Sequence, residues 1–253
     1  MGILNIIQVG VIICLAGMAQ SAVGFGYALF ATPLLVWIGM PLPNIIALVA
    51  TCSMIQSTIG ARKLHASIPW RLSLTATGVR LGGVILGLLL LKRLVALDAD
   101  HIRTVIGGIL CLLVVVQLIW RPQPVKAMHW VWGTLAFIMS GLLAGICGMG
   151  GPPLVLWSMA HDWSTQKTRG FLFTVFATSI PVQIFLMVLT FGTAILWSVA
   201  LGIAFFPLVY LGTLIGLPVG NRMTKDTLRR IAYALLLIIG TSAVVPAILV
   251  CLK

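Results

Sequence analysis

The sequence predicts an all-α membrane protein made of two inverted repeats of five helical segments, about eight full spans plus two half-helices. Three observations carry this. The 253 residues are 60% hydrophobic and only 8% charged, with a mean hydropathy of +1.16, whereas a soluble domain is typically about a quarter charged. A glycine-rich break occurs twice: Gly17, Gly24 and Gly26 recur as Gly141, Gly148 and Gly150, each 124 residues later. Finally, the charge of equivalent loops differs between the two halves, as it does when they face opposite sides of a bilayer.

Apolar runs between loop signals place ten segments, at 2–22, 27–39, 44–61, 69–91, 102–120, 130–147, 152–160, 169–190, 195–219 and 228–252. A bilayer core roughly 30 Å thick takes about 20 residues per span. Most segments meet that length. The second and seventh do not, reaching only about 20 and 14 Å at about 1.5 Å per residue. Each follows a glycine break, so each reads as a half-helix paired with its predecessor in a broken hairpin. The first segment ends near small residues, as a signal peptide does, but no basic residue precedes it and its end belongs to the repeated element. It is expected to stay in the mature protein.

The duplication extends beyond the glycines. Ala50, Thr51 and Gln56 match Ala177, Thr178 and Gln183 at an offset of 127, Leu81-Gly82 matches Leu211-Gly212 at 130, and Asp100 and Arg103 match Asp226 and Arg229 at 126. An odd number of segments per repeat inverts the second repeat. With residue 1 outside, Arg62, Lys63, Arg71, Arg121, Lys126, Lys167, Arg169, Arg222, Lys225, Arg229 and Arg230 fall in inside loops, and Lys92, Arg93, Arg103 and Lys253 outside. The distribution obeys the positive-inside rule. The expected organisation is a first repeat over 1–121, a cytoplasmic linker over 122–128 and a second repeat over 129–253, both termini extracytoplasmic. A reporter fused after Lys253 should be extracytoplasmic; cytoplasmic activity of that reporter would overturn the topology.

Several function classes are disfavoured. A net charge of +12 would suit nucleic acid, but the basic residues lie in short loops, so no nucleic-acid partner is expected. Cys14, Cys52, Cys111, Cys147 and Cys251 lack paired spacing, and His65, His101, His129 and His161 lie at segment ends without ligand spacing. No metal, cofactor or catalytic cluster is expected, and no phosphate-binding G-x-x-x-x-G-K-S/T loop is present. Trp37, Trp70, Trp120, Trp130, Trp132 and Trp197 lie near segment boundaries, as an aromatic belt would. The partners expected are a small anion and the bilayer, with a homo-oligomer left open.

The candidate site follows from one unpaired charge and two breaks. Arg80 lies mid-segment, and Asp98, Asp100, Asp162 and Asp226 all fall in loops. An arginine at that depth costs at least about 2.5 kcal/mol and must face protein or water. It either bonds the carbonyls of a broken helix or binds an anion. The half-helices, one beginning at Tyr27 after Gly24, Phe25 and Gly26 and one after Gly148, Met149, Gly150 and Gly151, present free N–H groups and positive dipole ends. In inverted-repeat transporters such ends converge on substrate; alternatively the glycines only permit close packing. Thr51, Gln56, Thr178 and Gln183 are repeated polar side chains in apolar helices, able either to coordinate an oxyanion or to join helices. Ser53, Ser57 and Ser179 share that ambiguity. No coupling-ion site is marked.

The paired elements AVGFGYALFATPLL at 22–35 and GICGMGGPPLVLW at 145–157, followed by ATCS and ATSI, resemble the TauE/SafE sulfite exporter family, also called the 4-toluenesulfonate uptake permease family. The resemblance spans nearly the whole chain. It implies transport of sulfite, sulfoacetate or another organosulfonate across the bacterial inner membrane. The family's glycine elements fall on Gly24, Gly26, Gly148, Gly150 and Gly151, and the proline of its first repeat on Pro33. Pro152 and Pro153 directly after the second glycine element, and Tyr27 in the first, depart from the pattern. The resulting expectation is an anion transporter with Arg80 and both half-helix starts as its cradle; the alternative is a channel-like facilitator or a permease for another small organic anion.

Overall fold

Apolar sequence broken by left-handed glycines produces helices of two lengths. The computed structural model describes residues 3–95 and 129–224, together with Gly108, Thr227 and Arg230. The predicted segment 102–120, the linker 122–128 and nearly all of segment 228–252 lie outside the described residues. Within them the helices are α1 (Ile3–Val23), α2 (Tyr27–Trp37), α3 (Leu42–Lys63), α4 (Trp70–Val95), α5 (Trp130–Cys147), α6 (Gly151–Met159), α7 (Thr165–Phe191), α8 (Leu196–Ala204) and α9 (Phe206–Arg222). Five of these, α1, α3, α4, α5 and α7, are long and apolar enough to cross a membrane.

The two breaks form as glycine chemistry requires. Gly24 and Gly26 adopt φ of +97° and +107°, and Gly148 +77°, a region that only glycine enters without steric cost. Gly148 N–H bonds Ala144 O at 3.0 Å and Met149 N–H bonds Leu143 O at 3.3 Å, so the chain turns back on the last carbonyls of α5 through a left-handed glycine. Pro152 and Pro153 then occupy the first turn of α6, where a missing N–H removes no helical bond. The two short helices therefore start at Tyr27, as predicted, and at Gly151, one residue before the predicted 152.

Two predicted segments differ from the observed helices. The ninth, 195–219, is two helices bent by 51° around Phe205, because Pro207 sits in the first turn of α9 and starts a new helix there. The eighth begins at Thr165 instead of 169, with the Ser164 side chain accepting from Lys167 N at 3.2 Å as its N-cap. That extension moves Arg169 from the predicted loop into a helix, where it is fully buried.

Helix packing is governed by glycines that let backbones touch. A Cβ on Gly83 would strike Ile138 O and Leu142 N, and one on Gly87 would strike Leu142 O and Ile146 N, joining α4 to α5. In the other half, Gly212 meets Cys14 O and Met18 N, while Gly216 meets Met18 O and Ala22 N, joining α9 to α1. The two contacts correspond atom for atom, since Ile138, Leu142 and Ile146 lie 124 residues after Cys14, Met18 and Ala22. They equate Gly83 with Gly212 at an offset of 129. The predicted match of Gly82 with Gly212 is thus one residue out of register, and Gly82 has nothing within 4 Å.

Between these pairs, α3 lies against α7 in antiparallel sense: Gly60 meets Phe173 while Leu64 O approaches Gly170. Outward faces are apolar, with Leu74, Ile85 and Leu89 of α4 and Phe185 and Leu189 of α7 exposed. Trp70, Trp130, Trp132 and Trp197 are exposed at helix starts, as interfacial anchors are. Residues that a soluble protein would bury thus face outward.

Candidate functional site

A cavity of about 40 Å³ lies where the two breaks meet. The start of α2 contributes Gly26, Tyr27, Ala28 and Leu29; the second break contributes Gly148, Met149, Gly150 and Gly151. Arg80 of α4 and Gln183 of α7 complete its predicted polar lining, and Gln20 of α1 and Ser53 of α3 add to it. Val49, Ala50, Phe176 and Ile180 form apolar wall. Among the described residues no carboxylate lines it.

Arg80 is 2% exposed. Its Nε donates to Ser140 Oγ at 3.1 Å, its Nη1 donates to Ser179 Oγ, and its guanidinium carbon lies 5.6 Å from the Phe176 ring centroid. All of these partners are neutral. Ser140 Oγ in turn donates to Gly150 O at 2.5 Å, so one hydroxyl fixes both the arginine and the turn before α6. A Cβ on Gly150 would lie 2.9 Å from Nη2. Glycine at 150 therefore leaves the space in which Nη2 sits beside the cavity, and Nη2 makes no hydrogen bond to the described residues.

The two half-helix starts are chemically unequal. The first helical bond of α2 runs from Phe30 N–H to Gly26 O at 3.0 Å, so the N–H groups of Tyr27, Ala28 and Leu29 lack a helical acceptor. In α6, Pro152 and Pro153 carry no N–H, leaving Gly151 alone in the first three positions. Arg80 stands at this donor-poor break. Positive charge thus comes from backbone at the first break and from a side chain at the second.

Gln183 Nε2 donates to Ala144 O at 3.0 Å, a second donor for the carbonyl that Gly148 N–H already bonds near the end of α5. Tyr27 is committed elsewhere by its ring, whose hydroxyl donates to Ile13 O at 3.0 Å; it meets the cavity as the first residue of α2. Gly24, Phe25, Thr51, Gln56 and Thr178 do not line the cavity. Gly24 is the turn residue packed on Arg169, and Phe25 packs on Gly151. Thr51 Oγ1 donates to Ala47 O at 2.8 Å and its side chain fills the space over Gly202. Gln56 Nε2 donates to Ser21 Oγ at 2.9 Å, and Thr178 shares a 2.7 Å hydrogen bond with Thr77. These last three join helices to one another.

Gln20 and Ser53 were less legible. Ser53 Oγ donates to Gln20 Oε1 at 3.1 Å and Gln20 Nε2 donates to Ser57 Oγ at 3.0 Å. Gln20 has no polar counterpart, since Ala144 occupies the matching position of the second repeat, so the duplication could not flag it.

Comparison with known proteins bears on the same elements. Residues 9–243 match the family model described as Sulfite exporter TauE/SafE, a stretch that contains both breaks and Arg80. The chain is 25% identical over 236 residues to a protein of Cupriavidus necator named as a probable sulfite/organosulfonate exporter TauE, covering 90% of each chain. No solved structure matches. The chain belongs to the sulfite exporter TauE/SafE family, and is a multi-pass membrane protein of a transporter family.

Proposed function

We propose that this protein is a secondary transporter that moves a small sulfur oxyanion, of the size of sulfite, across the bacterial inner membrane, with the cavity between the two breaks as its central site. The observation that carries this reading is Arg80, a buried guanidinium facing the cavity with only neutral partners. A cation in that setting lowers its burial penalty by holding an anion. Three N–H groups at the start of α2, which also lines the cavity, add donors.

Size supports a small substrate. By the measure in which one water needs roughly 10–15 Å³, a cavity of about 40 Å³ has room for roughly three waters, or for one three-oxygen sulfur anion in their place. An aromatic sulfonate needs a wider opening. The reciprocal packing of α4 on α5 and α9 on α1, with α3 antiparallel to α7, supports the inverted repeat. Loop charge supports extracytoplasmic termini.

Proteoliposome flux tests the reading. Sulfite, sulfate, thiosulfate, sulfoacetate and an aromatic sulfonate are compared with and without a pH gradient. Saturable uptake of the smaller anions, accelerated by the same anion on the far side, is the expected result. Non-saturating flux without exchange would indicate a channel-like facilitator, and no flux of any sulfur oxyanion would overturn the proposal.

A further inference from the structure

A second buried arginine, Arg169, lies on α7 between the start of that helix and its cavity-lining residues. Phe176, the first cavity-lining residue along α7, is seven residues beyond Arg169, a distance of about 10 Å at 1.5 Å per residue. Arg169 is fully buried; its Nη2 donates to Ser21 O at 2.5 Å and its Nη1 to Asn221 Oδ1 at 2.7 Å. It thereby clasps the end of α1 to the end of α9.

Polar side chains continue from the cavity to this clasp. Ser53 and Gln20 line the cavity, Gln20 bonds Ser57, and Gln56 one residue earlier bonds Ser21, whose carbonyl Arg169 holds. Of the three buried side-chain polar atoms without a partner among the described residues, two are on this track: Gln56 Oε1 and Arg169 Nε. Buried polar groups inside a membrane are expensive and mark pathways. Buried polar atoms that the surrounding helices leave unpaired call for a reason beyond packing.

The seat of the clasp also differs from the rigid helix contacts. Gly83, Gly87 and Gly141 press backbone on backbone. By contrast, a Cβ on Gly24 would first meet Arg169 Cγ at 3.0 Å, and one on Gly60 would first meet Phe173 Cδ2 at 2.6 Å. Gly220 adds a wall, with Arg169 Cζ 2.7 Å from its would-be Cβ besides the carbonyl of Ala22. Arg169 and Phe173, whose ring centroid lies 5.8 Å from the guanidinium carbon, thus plug a slot of glycines from the first break and two helices, α3 and α9. Side chains leave such a slot by rotation, without separating backbones.

We propose that Arg169 and Phe173 form the gate that closes the cavity toward the membrane face on which α7 begins, latched by Ser21 and Asn221. The proposal rests on the cavity being the transport site. Its test reads access instead of flux. In a chain with the five native cysteines replaced, Ala50→Cys places a thiol in the cavity wall; a sister chain retains only Cys147, which is fully buried in α5. Both are treated with an impermeant anionic methanethiosulfonate from each side in turn.

Arg169→Gln should raise the labelling rate at position 50 about tenfold from the α7-start side only, with Cys147 unchanged. Asn221→Ala, which removes one of the two acceptors, should raise it severalfold and covers the case in which the arginine variant does not fold. Unchanged labelling at position 50, or an equal rise at Cys147, overturns the gate. If labelling is unchanged while Arg80→Gln still abolishes flux, the cavity reading stands and the gate alone falls.

Discussion

Arg80→Gln is expected to lower anion flux in proteoliposomes by about 100-fold while leaving a folded, inserted protein. The loss follows from the donor count. Two prolines deprive the second half-helix of N–H groups, and Arg80 supplies the charge in their place. A hydrogen bond to a charged group contributes about 1.5–3 kcal/mol, and about 1.4 kcal/mol is tenfold in affinity. Glutamine keeps part of the shape and a neutral donor but no charge.

Stability should move the other way. The partner hydroxyls remain satisfied without Arg80, because Ser140 still donates to Gly150 O and Ser179 still donates to Val175 O at 2.6 Å. An uncompensated charge is also removed from the membrane interior. The variant should therefore melt in detergent no earlier than the parent without ligand. It should also lose the rise that sulfite gives the parent, which is about 2.7 kcal/mol at one hundred times the dissociation constant. Flux equal to that of the parent would refute the role of Arg80. Loss of flux with early melting would instead assign it to structure.

The two breaks were readable because they rest on local chemistry: glycine at positive φ, and an apolar run too short to span. Arg80 was readable because a lone charge deep in an apolar run has few structural explanations. Arg169 was not, because charge next to a run boundary looks like a loop. The signal that would have found it is Ser164, an N-cap residue that starts α7 four residues before the apolar run and carries Arg169 into the helix. Pro207 similarly marks the start of α9, which apolarity alone joined to α8. The one-residue error in matching Gly82 with Gly212 has another origin. Contact, not identity, decides which glycine must be glycine, and contact is not in the sequence. Thr51, Gln56 and Thr178 show the same limit: repetition marked them as constrained but did not say whether by a ligand or by a neighbouring helix.

Gly141→Val should be the most damaging single change to the fold. A Cβ at 141 would run into Arg80 O and approach Val84 N at 2.8 Å. These are backbone atoms, so no rotamer change relieves the clash, and α4 and α5 must separate. Overpacking typically costs about 1–3 kcal/mol and more where the neighbour cannot yield; about 3 kcal/mol lowers Tm by roughly 6–12 °C in a chain of this size. Separation would also pull Ser140, the preceding residue, from Arg80 Nε and Gly150 O, opening the cradle between the breaks. Function should fail along with stability. Gly82→Ala on α4, the partner helix in this contact, is the matched control: nothing lies within 4 Å of its would-be Cβ, and alanine gains about 1 kcal/mol of helix propensity. Thermal melting in detergent should therefore separate the two, with Gly82→Ala at or above the parent and Gly141→Val far below it. Equal Tm values would show that the α4–α5 contact does not hold the site together.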